Sequence, residues 1–162
     1  MFAGDSDTLP GWLRLTLIPG IGGQTQRKLL SAFGLPERIF SAGRSSLCSV
    51  IGEQATQLLL DTGNAERVAL ALEWSKGEAQ CIVTLADPEY PQALLEIPDP
   101  PSLLYVRGHH ELLNRPVLSI VGSRNPTPQG TQNAERFAAA LADAGLVIGS
   151  GLALGIDAAA HR

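Results

Sequence analysis

Two consecutive stretches of this chain repeat one plan. Residues 117–121 are a short apolar run that passes directly into Gly122-Ser123-Arg124-Asn125-Pro126-Thr127-Pro128, and the sequence beyond suits a helix. Residues 146–149 are again apolar and pass into Ser150-Gly151-Leu152-Ala153-Leu154-Gly155-Ile156-Asp157, where a second helix begins. Strand, tight turn and helix in alternation dictate parallel strands joined by crossover helices. The two turns then share one edge of the sheet, where helix-start N–H groups and the helix dipole favour negative charge. Arg124 adds a planar, permanently charged fork suited to phosphate.

The remaining pattern divides the chain at about residue 76. In 9–76, apolar residues at helical spacing alternate with glycine breaks. Helices are expected to end near Pro19-Gly20, to run over 25–33 up to Gly34, over 36–40, from a cap at Ser45, over 54–60 up to a break at Thr62-Gly63, and over 64–76. This is a small helical bundle. Residues 81–85 and 103–106 read as strands, separated by a proline-crowded stretch with at most a short helix at 92–96. Strands at 117–121 and 146–149 and helices over 128–144 and from about 154 complete the reading. Ala134, Phe137, Ala138, Leu141 and Ala142 are the expected buried stripe of the first of these helices. The fold class is α/β: a helical domain over 1–76, then an incomplete parallel-sheet domain over 77–162. Four strand candidates fall short of a doubly wound sheet, which suggests a piece of a longer protein.

Charge limits the partners. Residues 1–76 hold seven Lys/Arg and seven Asp/Glu; residues 77–162 hold five and nine, so the second part carries the whole net charge of −4. No general basic surface can capture a polyanion, and any nucleic-acid contact must come from a local pocket. Cys48 and Cys81 lie far apart without metal-type spacing, which suits a reducing compartment. No run approaches transmembrane length, and the first residues lack the basic and apolar regions of a secretory signal. A cytoplasmic location is expected.

Three motifs bear on chemistry. Ile18-Pro19-Gly20-Ile21-Gly22 lies between two expected helices and suits either a helix-hairpin-helix turn, whose glycine amides approach a DNA phosphate, or a plain helical hairpin. Gly20, Gly22, Arg27 and Lys28 are its candidate contacts to DNA or a partner. In the turn at 122–127, Gly122 allows close approach, Ser123 and Thr127 offer hydroxyls, and Arg124 supplies charge. In the later turn, Ser150, Gly151 and Gly155 suit close packing on a phosphate or sugar, while Asp157 either binds a sugar hydroxyl or caps a helix. This is neither Gly-x-Gly-x-x-Gly nor a Walker loop. His161, four residues after Asp157, offers an Asp–His pair for acid–base chemistry, though a histidine near a helix end is more often structural. His109 and His110 lack further ligands for a metal. Trp12, Trp74, Phe33 and Phe40 read as core.

Five ordered segments resemble the DprA/Smf family of DNA-processing proteins: 18–22 with Phe33-Gly34; Asp87-Pro88-Glu89-Tyr90-Pro91 with Leu94; Asp99-Pro100-Pro101 with Leu103-Leu104-Tyr105 and Gly108; Ile120–Arg124 with Thr127 and Gly130; and Ser150–Asp157 with Ala160-His161. The resemblance implies a sterile-alpha-motif-like or helix-hairpin-helix domain followed by a Rossmann-like domain. It implies single-stranded DNA binding without strong sequence preference, loading of the recombinase RecA during natural transformation, and a homodimer in the full-length protein. It implies no enzyme activity, no cofactor and no metal. Gly122, Ser123 and Arg124 map directly onto the family's DNA pocket, with Thr127, Ser150, Gly151 and Gly155 beside them. Some members carry arginine where Leu154 stands.

Two other readings compete. A Rossmann-like nucleotide-binding enzyme, such as a nucleoside-monophosphate phosphoribohydrolase, shares glycine-rich phosphate turns. Such enzymes also carry a Pro-Gly-Gly-x-Gly-Thr turn and a nearby glutamate, which residues 1–162 do not show. Alternatively, the uncharged balance of residues 1–76 suits a protein-docking module.

Overall fold

The computed structural model describes residues 8–61 and 63–162. The reading of the first residues and the Thr62 part of the expected helix break lie outside them. The contacts divide the chain into two compact units, Met1–Leu113 and Asn114–Arg162.

The first unit opens with five helices: α1 (Leu9–Thr16), α2 (Gly23–Phe33), α3 (Pro36–Ser41), α4 (Arg44–Leu60) and α5 (Ala65–Trp74). Proline in the first turn of α1 and of α3 sits where its missing N–H costs nothing. Leu15, Ile18, Ile21, Leu29, Ile39, Leu47 and Leu59 form one buried core. The expected cap at Ser45 is not used: Gly43 precedes α4 with no side-chain cap, and Ser45 is its second residue. The helix instead breaks at Gly52, whose φ of +79° a side chain rarely tolerates. Arg44 and Glu53 pair across that break.

Strands β1 (Gln80–Thr84) and β2 (Leu103–Arg107) follow, paired antiparallel with Ile82 opposite Tyr105. Between them α6 (Gln92–Leu95) has only four residues, too short for the crossover that a parallel pairing needs. Among the described residues, four strands make two sheets of two rather than one parallel sheet. Tyr90 is buried with Cys81 and Val83, and its hydroxyl donates to the Pro101 carbonyl at 2.8 Å, holding the proline-rich segment in place.

The second unit has the predicted alternation: β3 (Val117–Ser119), α7 (Pro128–Asp143), β4 (Val147–Gly149) and α8 (Ile156–Ala159). β3 and β4 are parallel, with Leu118 opposite Ile148. Thr127 caps α7, its hydroxyl accepting the Gly130 N–H at 3.1 Å. Ala134 and Ala138 are buried as expected, but Phe137 is 64% exposed and Ala142 is exposed. At about 100° per residue, both lie beyond the edges of the narrow face that α7 turns towards β4 and α8.

Candidate functional site

The turns after β3 and β4 are clamped together by backbone chemistry. The Ile156 N–H donates to the Ser123 carbonyl at 3.1 Å. Gly155 adopts φ +86°, and a Cβ there would lie 2.8 Å from backbone atoms of Arg124. Glycine is therefore required at 155 by close packing of the two turns. Gly122 is required for the same reason, since a Cβ would lie 2.8 Å from the Ile156 side chain. Gly122 and Gly155, expected from the sequence to open the turns to a ligand, instead bring one turn against the other.

Asp157 joins the turns a second time. Its Oδ1 accepts the Gly122 N–H at 3.2 Å and its Oδ2 accepts the Gly151 N–H at 3.1 Å. The residue is 5% exposed. Burial acts to raise its pKa, but N–H donors led by Gly122 outweigh burial and hold the carboxyl below the usual carboxylate range. Ser150 Oγ is buried beside it and pulls in the same direction without reaching hydrogen-bond geometry. The amides of Gly122 and Gly151 are thus already committed to an internal anion.

Arg124 is what this clamp displays. It is exposed, and among the described residues no carboxylate pairs with it. Two other arginines of this unit are engaged: Arg115 donates to the Gly145 carbonyl at 3.1 Å, and Arg162 pairs with Glu135 at 3.4 Å. Ser123 Oγ accepts the Asn125 N–H at 3.1 Å, which tightens the turn around Arg124. Thr127 stands one turn further on, with its hydroxyl used as the α7 cap. Residues 114–162 hold four Lys/Arg against three Asp/Glu, one of these being Asp157, buried against two backbone amides, whereas residues 1–113 hold eight against thirteen. The site therefore lies on the one unit without an acidic excess.

The candidate residues of the helical hairpin have a different setting. Gly20 takes φ +83°, close against Leu58, and the buried Gln26 side chain donates to the Ile21 carbonyl at 3.0 Å. Arg27 pairs with Asp99 and also donates to the Pro100 carbonyl at 3.4 Å. Asp99 Oδ1 lies 3.0 Å from where a Gly23 Cβ would stand, so this carboxylate occupies the amino end of α2. Gly22 and Lys28 are exposed, and Lys28 lines an open groove of about 580 Å³ with Gln24, Ser31 and Val50.

His161 is exposed beyond α8, while the Asp157 oxygens face the two glycine amides. His109 and His110 lie against Glu111, with Nδ1 to carboxylate distances of 3.0 and 3.4 Å. Among the described residues no group of three His, Cys, Asp or Glu is placed to hold a metal ion. Nor, among those residues, is any helix long and apolar enough to cross a membrane. Trp12 is buried; Trp74 packs edge-on against Tyr105 with ring centroids 5.1 Å apart.

Residues 81–162 match the family described as DNA recombination-mediator protein A. Over 156 residues the chain is 34% identical to Protein Smf of Synechocystis sp., covering 93% of this chain and 39% of that protein. Over 78 residues it is 45% identical to the DNA processing protein DprA of Streptococcus pneumoniae, covering 48% of this chain and 27% of that one. The X-ray structure of DNA processing protein A from S. pneumoniae superposes with a TM-score of 0.69 at 30% identity, over 88% of this chain and 48% of that chain. The chain spans less than half the length of each of these relatives.

Proposed function

The chain belongs to the DNA recombination-mediator protein A family, and from that membership we propose that its second unit binds single-stranded DNA at the turn carrying Arg124, without catalysis. One observation carries this reading: an exposed arginine with no carboxylate partner among the described residues stands on a turn whose backbone is fixed from behind by Gly155, Ile156 and Asp157. A fixed cation at the end of parallel strands suits a backbone phosphate whatever base it carries. Ser123, Thr127, Ser150, Gly151 and Gly155 shape this surface, with Gly122 and Gly151 acting through Asp157 rather than as free amide donors.

The competing nucleotide-hydrolase reading needs open amides to hold a nucleoside phosphate. Asp157 already takes those of Gly122 and Gly151, which favours the strand-binding reading. For the helical unit, the Arg27–Asp99 pair favours contact with a protein over contact with DNA. In the cytoplasm, as part of a longer homodimeric protein, the chain would serve recombination by presenting strands to RecA during natural transformation.

Titrating a fluorescent oligothymidine with the chain, beside a duplex of the same length, tests this. Saturable binding that favours the single strand supports the proposal. Release of free base from a nucleoside monophosphate, with no strand binding, would replace it with the hydrolase reading.

A further inference from the structure

We infer that Asp157 determines what the site accepts: its carboxylate is a built-in anion that fills the amide seat between the two turns and keeps terminal phosphates out. The inference rests on the strand-binding reading above and deepens it. The two amides that meet at Asp157 belong to residues far apart in sequence, Gly122 and Gly151, and each is bound by a separate carboxylate oxygen, at 3.2 and 3.1 Å. Backbone N–H groups converging from two turns at the ends of parallel strands make an anion-binding concavity. Here the anion comes from the chain itself, is 5% exposed and is carried by the second residue of α8.

The consequence is selective. A nucleoside monophosphate presents a phosphate monoester carrying between one and two negative charges at neutral pH. Such a group would have to displace or approach an ionised carboxylate that already holds the donors it needs. A phosphodiester within a strand carries a single charge and needs no such seat, because Arg124 meets it from the exposed side of the turn. The same carboxylate fixes the turn that carries Arg124, through Gly122. One residue therefore shuts out free nucleotides and positions the group that takes the strand.

The test uses the whole chain with Asp157→Ala and Asp157→Asn. Thermal melting is followed with inorganic phosphate, with formate, and with sodium chloride at matched ionic strength. Binding of deoxythymidine monophosphate is measured by calorimetry. If Asp157 fills an anion seat, Asp157→Ala melts lower than the parent chain, and phosphate or formate recovers much of the loss where chloride does not. Both variants bind deoxythymidine monophosphate about tenfold or more tightly than the parent. Equal response to chloride and phosphate, or unchanged nucleotide binding in both variants, overturns the inference. So does failure of both variants to fold in phosphate, because an added anion would then not replace the carboxylate. None of these readouts uses DNA. Success here with no strand binding by the parent chain would overturn the strand-binding proposal alone.

Discussion

Ile156 donates its backbone N–H to the Ser123 carbonyl at 3.1 Å, fixing the turn after β3 to the start of the last helix. The contact spans the whole crossover helix α7. It makes the two glycine-rich turns one rigid edge, from which the Arg124 side chain projects.

Gly155 is the tightest point of that edge. Gly155→Ala would place a Cβ 2.8 Å from Arg124 backbone atoms in a left-handed conformation. A loss of about 3 kcal/mol is expected from strain and overpacking together. Urea unfolding of the variant against the parent measures it; a loss near zero would show that the turns separate easily.

Leu152 sits at φ +55° and is 77% exposed, so its side chain contributes little packing to offset a strained backbone. Leu152→Gly relieves the strain while loosening the unfolded chain. A net gain of about 0.5 kcal/mol is expected. Denaturation midpoints read this directly, and a clear loss of stability would mean that the leucine side chain is held by packing.

Arg27 is engaged with Asp99 and the Pro100 carbonyl. Arg27→Ala is expected to cost about 0.5 kcal/mol, since Asp99 is exposed, and to leave oligothymidine affinity unchanged. A drop in strand affinity without a change in stability would bring the helical hairpin into the DNA interface.

The Asp157 carboxyl is held below its ordinary pKa by its N–H donors. Its contribution to stability is therefore complete above the unfolded carboxylate value of about 4. It is lost as pH falls through the lower folded value. The stability difference between the parent chain and Asp157→Asn is expected to be constant from neutral pH to about 5 and to shrink below about 4. Paired urea titrations across that range follow it. A difference that grows on acidification would contradict the assignment of the ionised form.

Much of this was legible in the sequence. Among the described residues, apolar spacing and glycine breaks located the α-helices to within a few residues, because those signals are local, but not the short 3-10 helix at His110–Asn114. Parallel pairing of β3 and β4 followed from the crossover helix between them. The Arg27–Asp99 pair was not legible, since its partners are 72 residues apart and each reads as an ordinary surface charge. The role of Asp157 was half-legible. Its position at the start of a helix suggested a cap, but nothing local shows that one of its oxygens reaches an amide of the turn after β3, 35 residues away. Phe137 was misplaced because periodicity gives the direction of a buried face and not its width.

The salt dependence of oligothymidine binding, measured by fluorescence anisotropy for the parent chain and Arg124→Ala, tests the central claim most directly. Affinity is expected to fall about tenfold or more on loss of the guanidinium. The slope of log affinity against log salt is expected to become shallower by about 0.7, as for one phosphate contact to a single strand. An Arg124→Ala variant that melts like the parent, binds as tightly and keeps the same slope would contradict the placement of the strand on this turn.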